Sequence, residues 1–202
     1  MVSDGILYAL GLLAGGILVA WLVNPWLAIP LFVVAAFCAW FFRDPDRTVP
    51  PGPVAVSPAD GKVMIVTAES AQHTRVSIFL NIFDVHVNRA PVGGVVTDIC
   101  YQKGKFGHAA QPIASTENEM NTFTINDNGV TVVCKQIAGL IARRIVCYLN
   151  VGDRVQTGQR IGLIKFGSRC DVIFGPEWQT EVTPGMRVSG GSSILARRKE
   201  MA

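Results

Sequence analysis

Residues 122–135 read Thr-Phe-Thr-Ile-Asn-Asp-Asn-Gly-Val-Thr-Val-Val-Cys-Lys. Two runs rich in β-branched residues, 122–125 and 130–135, flank Asn126-Asp127-Asn128-Gly129, and Asn-Gly between such runs signals a β-hairpin. The same texture extends in both directions. Short runs of Val, Ile and Thr recur at 63–67, 75–80, 145–149, 161–166 and 171–174, separated by Gly, Asn and Asp. No long stretch with a 3.6-residue apolar period follows residue 50, so the fold class is mostly β.

A longer-range pattern refines this. Gly152-x-x-Val155-x-x-Gly158 returns 33 residues later as Gly185-x-x-Val188-x-x-Gly191, each copy ahead of a short apolar stretch. The spacing resembles the corners of lipoyl-type barrel-sandwich folds, where glycine permits positive φ. Two copies are too few for a solenoid and imply two halves of one flattened barrel.

The N-terminus is different. Residues 5–23 and 27–42 contain no charge, and only Asn24-Pro25-Trp26 lies between them. A helix needs about 20 apolar residues to cross a bilayer, so the first run can span and the second is marginal. Asn-Pro reads as the turn of an apolar helical hairpin over residues 1–42, spanning or re-entrant. A secretory signal would carry positive charge where Val2, Ser3 and Asp4 stand, and a small-residue cleavage site after the run. Arg43 and Arg47 follow the second run, which places that end in the cytoplasm, at the cell membrane. Prolines 45, 50, 51, 53 and 58 make residues 43–58 a stiff linker, and the soluble domain, 54–202, begins near Val54.

Charge narrows the partners. Only 16% of residues are charged, against roughly 25% in an average soluble domain. The net charge is +3 with Asp4 the only charge before Arg43, so the remainder carries +4. That balance, with Arg197-Arg198-Lys199, suits an anionic membrane surface at about 1 kcal/mol per nearby basic residue, although a solvated tail fits that cluster equally. No basic stripe with interleaved aromatics supports nucleic-acid binding. The five cysteines lack paired spacing and read as reduced, mostly buried thiols rather than metal ligands.

The chemistry concentrates in Lys165-Phe166-Gly167-Ser168-Arg169. Gly-Ser alone is a turn dipeptide. Between two apolar runs, however, the serine falls at a bend where surrounding strands can hold backbone strain. Gly167 presents a carbonyl with no side chain to shield it from the Ser168 hydroxyl.

The tract Phe166-Gly167-Ser168-Arg169 resembles the self-cleavage motif of the phosphatidylserine decarboxylases, in their short form. The similarity continues in family order through Ser57-Pro58-Ala59-Asp60-Gly61-Lys62-Val63, Phe83-Asp84-Val85-His86-Val87-Asn88-Arg89-Ala90-Pro91, Gly104-Lys105-Phe106 and Glu117-Asn118-Glu119. It then runs through Gln136-Ile137-Ala138-Gly139, Ala142-Arg143-Arg144 and Val151-Gly152-Asp153-Arg154-Val155.

The resemblance implies that Ser168 attacks Gly167, that the ester eliminates, and that Ser168 becomes a covalent pyruvoyl cofactor. The products would be a β chain, 1–167, and an α chain, 168–202, which stay associated. A serine needs a base, and the family places its histidine at His86 and its aspartate at Asp60, which would orient the imidazole in the manner of a Ser-His-Asp triad. By themselves Asp60 is a turn former before Gly61 and His86 a structural histidine. His73 and His108 match no motif and read as surface or structural.

The ketone would condense with the amine of phosphatidylserine and act as electron sink while carbon dioxide leaves, and His86 would return a proton. The product is phosphatidylethanolamine, and the resemblance implies a homodimer. Larger members carry a second histidine three residues after the first; here that residue is Arg89, which leaves His86 to serve both maturation and turnover. Arg89 and Arg169 are candidates to bind the substrate's phosphate or carboxylate, with structural ion pairs as the alternative. Two other functions compete: a membrane-anchored barrel-sandwich adaptor or carrier, for which Lys165 lacks a hairpin tip, and a zinc hydrolase, for which the histidines lack ligand spacing.

Overall fold

The two uncharged N-terminal runs are helical in the computed structural model, which describes residues 3–140, 144–164 and 167–199. Helix α1 spans Ser3–Leu22 and α2 spans Pro25–Phe41. Asn24 caps α2 by accepting from the Trp26 amide at 2.9 Å, and Pro25 takes the first turn, where a missing N–H costs no helical hydrogen bond. The chain reverses there, bringing Gly5 against Phe42 and Gly16 against Phe32. Both helices stay apolar on every side, and only 11% of the window Gly5–Leu22 is buried. The core helix of a soluble protein would be covered. Helix α1 is long and apolar enough to cross a bilayer; α2 is shorter.

The chain divides into two units, Met1–Asp46 and Arg47–Ala202. The second is a β domain. Its strands are β1 (Val54–Val56), β2 (Gly61–Ala68), β3 (Thr74–Leu80), β4 (Val87–Arg89), β5 (Gly94–Gln102), β6 (Met120–Asp127) and β7 (Val130–Ile137). There follow β8 (Ile145–Cys147), β9 (Arg154–Val155), β10 (Arg160–Ile164), β11 (Ser168–Phe174), β12 (Trp178–Thr180), β13 (Arg187–Val188) and β14 (Ile194–Arg198). One short helix, α3 (Ala114–Glu117), precedes β6. Eight strands make one curled sheet in the order β13-β2-β3-β11-β7-β6-β5-β9, and two smaller sheets run β1-β14-β12 and β4-β10-β8. Val63, Ile78, Phe123, Val132 and Val172 of the large sheet share a core with Ile161 of β10 and Leu195 of β14. This is the mostly β, flattened barrel-sandwich, preceded in the chain by an apolar helical pair.

The local signals explain the corners. Strands β6 and β7 pair up to Asp127 opposite Val130, leaving Asn128 and Gly129 as a two-residue turn with φ of 52° and 89°. In the glycine echo Gly152, Gly158, Gly185 and Gly191 all have positive φ, from 76° to 99°. The echoed pieces β9 and β13 close opposite edges of the large sheet, and the strands that follow, β10 and β14, are the centres of the two small ones. The echo is thus a repeat of architecture. Strand β5 carries no clear strand signal, because Thr97, Asp98 and Tyr101 break its apolar alternation. Pieces of two or three residues are too short to alternate at all.

Strand β11 is buried along almost its whole length between β3 and β7. Successive side chains point to opposite faces. Cys170, Val172 and Phe174 therefore face the core, while Arg169 and Asp171 face outward beneath the segment that contains Gln111. Lys165 and Phe166, like Ala142 and Arg143, lie outside the described residues.

Candidate active site

Ser168 is the first residue of β11 rather than part of a bend, and the bend falls on Gly167, whose φ is +58°. That left-handed conformation favours glycine. Alternation puts the Ser168 side chain on the inner face with Cys170, opposite Leu80 of β3. The residue is fully buried, and its hydroxyl has no hydrogen-bond partner among the described residues. An unsatisfied buried hydroxyl costs about 1–3 kcal/mol, and such an exception calls for a reason. A hydroxyl reserved for reaction supplies one.

His86 ends the loop before β4 and is 2% exposed. Its Nδ1 lies 2.8 Å from the backbone oxygen of Asp84. A carbonyl only accepts, so Nδ1 carries the hydrogen and Nε2 is the basic nitrogen. The loop is tightly braced: Asn81 Oδ1 accepts from the Phe83 amide at 2.7 Å, Asp84 Oδ2 from the Asn81 amide at 2.9 Å, and Asp84 Oδ1 from Arg187 at 2.6 Å.

Two residues beyond His86, the Asn88 amide donates to Cys170 Sγ at 3.4 Å, and Cys170 lies two residues beyond Ser168. Ser168 and Cys170 share a strand face, so this bond ties the strand that follows His86 to the face that bears Ser168. The Ile164 amide donates to the His86 carbonyl at 3.3 Å, which sets the chain approaching Gly167 beside the histidine. Asn88 also accepts from Gln136 at 2.9 Å, and Gln136 accepts from Asn121 at 3.2 Å, forming a buried relay of carboxamides between the sheets. Burial, together with the Asp171 charge, pushes the Cys170 thiol far up, so it stays protonated beside this relay. Only Cys134 and Cys170 are buried; Cys100 is exposed and Cys147 is half-buried.

The other expected residues take different stations. Asp60 accepts from Arg47 at 2.7 and 2.9 Å and from the Gly190 amide at 2.7 Å. The resemblance implies that Asp60 orients or charges the imidazole; the Asp84 carbonyl lies against His86 Nδ1. The Asp60 turn backs β4, because the Pro58 carbonyl accepts from the Arg89 amide at 2.8 Å. Arg89 is buried, donates to the Gly158 carbonyl at 3.1 Å, and lies along Gly191. Arg169 forms a bidentate pair with Asp171 at 2.6 and 2.9 Å and donates to Ser77 Oγ at 2.8 Å and the Gln111 carbonyl at 3.3 Å. At 1% exposure it anchors the strand that presents Ser168, the structural alternative to a headgroup contact. Arg197 and Arg198 belong to β14 and pair with Glu181 and Asp127, and Lys199 donates to the Pro176 carbonyl. They form no loose tail.

Gly167 borders a cavity of about 220 Å³ lined by Phe79, Asn81, Ile82, His108 and Leu140. The Gly167 carbonyl oxygen presses on Gly139, where an added Cβ would lie 1.9 Å from it. His108 stacks on Phe79 at 6.0 Å and 8°, and its Nδ1 accepts from the Ala110 amide at 3.2 Å. The sequence carried no signal for His108, because an irregular segment brings it there. His73 sits in a surface turn with Ser70.

The family model for phosphatidylserine decarboxylase matches residues 34–196. A phosphatidylserine decarboxylase proenzyme of Solibacter usitatus is 60% identical over 198 residues, 98% of this chain and 97% of its own. Proenzymes of the same name from Trichlorobacter lovleyi and Saccharopolyspora erythraea are 45% and 47% identical, covering 95% and 81% of this chain and 92% and 74% of theirs.

Proposed function

Because this chain belongs to the phosphatidylserine decarboxylase family and is a carboxy-lyase, we propose that it decarboxylates phosphatidylserine with a pyruvoyl group made from its own Ser168 after self-cleavage at Gly167–Ser168. The observation that carries this reading is the junction itself: a fully buried serine hydroxyl without a partner, next to a glycine in the left-handed region. The term proenzyme in the relatives' names fits a processed chain.

In maturation His86 Nε2 takes the Ser168 hydroxyl proton, and Oγ attacks the Gly167 carbonyl carbon. The peptide C–N bond breaks, its nitrogen leaves as an amine with a proton, and an ester joins Gly167 to Ser168 Oγ. Loss of the Ser168 Cα proton expels the Gly167 carboxylate and leaves dehydroalanine. Water then replaces its nitrogen, which departs as ammonia, and residue 168 ends in a ketone.

When in place, the pyruvoyl group supplies an electron sink for the electrons that departing carbon dioxide leaves behind. The chain's own side chains do the rest. The Asp84 carbonyl keeps the His86 proton on Nδ1, so Nε2 accepts a proton in maturation and returns one to the substrate carbon in turnover. Asp60 holds the turn behind β4 through Arg47 and Gly190, and so steadies His86 from one remove. We assign the β domain to the cytoplasmic face of the cell membrane, because Arg43 follows the second apolar helix, and infer a homodimer from the resemblance.

Intact mass spectrometry tests the reading. Wild-type protein should comprise residues 1–167 and a 35-residue α chain, 168–202, whose blocked first residue reacts with borohydride. Ser168→Ala should remain one chain and release no carbon dioxide from phosphatidylserine. An uncut wild-type chain that still decarboxylates the lipid would overturn the assigned cofactor.

A further inference from the structure

The braced loop that ends in buried His86 turns Ile82 and Phe83 outward, Phe83 to 68% exposure. Leu140, 60% exposed, borders the same cavity as Ile82, the one onto which Gly167 opens. The Asp84–Arg187 pair at 2.6 Å draws Arg187 to the same side. Arg187 stands directly opposite Lys62 across β13 and β2, and Lys62 stands opposite Phe79. Directly opposed residues share a face, and like charges so placed repel. Arg187 has Asp84 as counterion, whereas Lys62 has no ion pair or side-chain hydrogen bond among the described residues. Lys62 also borders a second cavity, of about 490 Å³, which adjoins the first along Phe79.

We propose that this surface docks the β domain on an anionic phospholipid bilayer: Phe83, Ile82 and Leu140 enter the acyl boundary while Lys62 and Arg187 meet lipid phosphates. Large apolar side chains grouped at one rim mark a contact site. Apolar anchors beside an unneutralised cation, Lys62, fit an anionic interface. The inference rests on the reaction proposed above, since a diacyl substrate must reach Gly167 past this rim and a protein partner seated here would block it. The contact is additional to α1 and α2. It places the membrane against the same loop that positions His86.

The full-length chain in phosphatidylserine-containing vesicles provides the test. Bimane attached to F83C in a C100S background should be quenched by brominated phospholipid. The same label on T131C, at the opposite end of β7 from Leu140, should not. Equal quenching at both sites, or none at residue 83, overturns the surface, as does lipid-independent label-to-label contact, which would mark a second copy of the chain. Separately, F83D and K62E should each lose at least tenfold more activity on vesicles than on monomeric short-chain phosphatidylserine. Equal losses on both, or no loss, overturn it. Wild-type protein inert toward both lipids would overturn the reaction, and bromine quenching would then still decide the surface.

Discussion

At Gly139 a hydrogen stands where any other residue would place carbon 1.9 Å from the Gly167 carbonyl oxygen. Gly139→Ala must therefore move the carbonyl at which we propose cleavage, and a displacement of about 1 Å can cost roughly 100-fold in rate. We expect self-cleavage to slow on that order, read from the appearance of the 168–202 fragment on a gel, with folding retained. His86→Ala removes the proposed base and should slow maturation by about 100- to 10,000-fold. Normal processing in that variant would take His86 out of the mechanism. The thiols make an independent prediction. Burial raises the Cys134 and Cys170 pKa, so both remain protonated at pH 8 and lack a nucleophilic thiolate. Iodoacetamide at that pH should label exposed Cys100 and spare both until the protein unfolds, as peptide mapping would show.

At the scale of elements, the site depends on how β4 and β11 are held. They belong to different sheets, and Asn88 joins them through Gln136 and Cys170. Asn88→Ala would strand the Gln136 amide and should cost about 1–3 kcal/mol by urea denaturation. It should also slow self-cleavage beyond what the lost stability explains, because the strand that follows His86 is no longer tied to the one that begins at Ser168. Strand β11 has its own anchor on the outer face. Arg169→Ala would leave Asp171 buried without its counterion, at about 3–5 kcal/mol. Arg197→Ala, which breaks only an exposed pair with Glu181, should stay within about 1 kcal/mol. Equal losses in the two variants would show that the outer-face pair does not anchor the strand.

For the whole molecule, the division at Asp46 separates an apolar helical pair from a β domain with its own core. Deleting residues 1–46 should leave a folded β domain that no longer partitions irreversibly with membranes. If the docking surface exists, the truncated domain should still bind anionic vesicles at low salt and detach as ionic strength rises and screens Lys62 and Arg187. Sedimentation with vesicles across a salt series measures both. Wholesale membrane retention at high salt would show that the apolar attachment extends past residue 46.

The sequence by itself determined the β class, the Asn-Gly hairpin, the Asn-Pro reversal between apolar helices, the echoed glycine corners and the Gly167–Ser168 junction. Each rests on neighbours a few residues apart, where periodicity and turn chemistry act directly. The company kept by the site was decided by tertiary structure alone. Arg169 reaches Ser77 across 92 positions and Asn88 reaches Cys170 across 82, contacts that exist only once the strand order is set. The same holds for His108 at the Gly167 cavity and for the Asp84 carbonyl on His86 Nδ1. Residue types announce which groups can react. Non-local pairing of strands decides which of them meet.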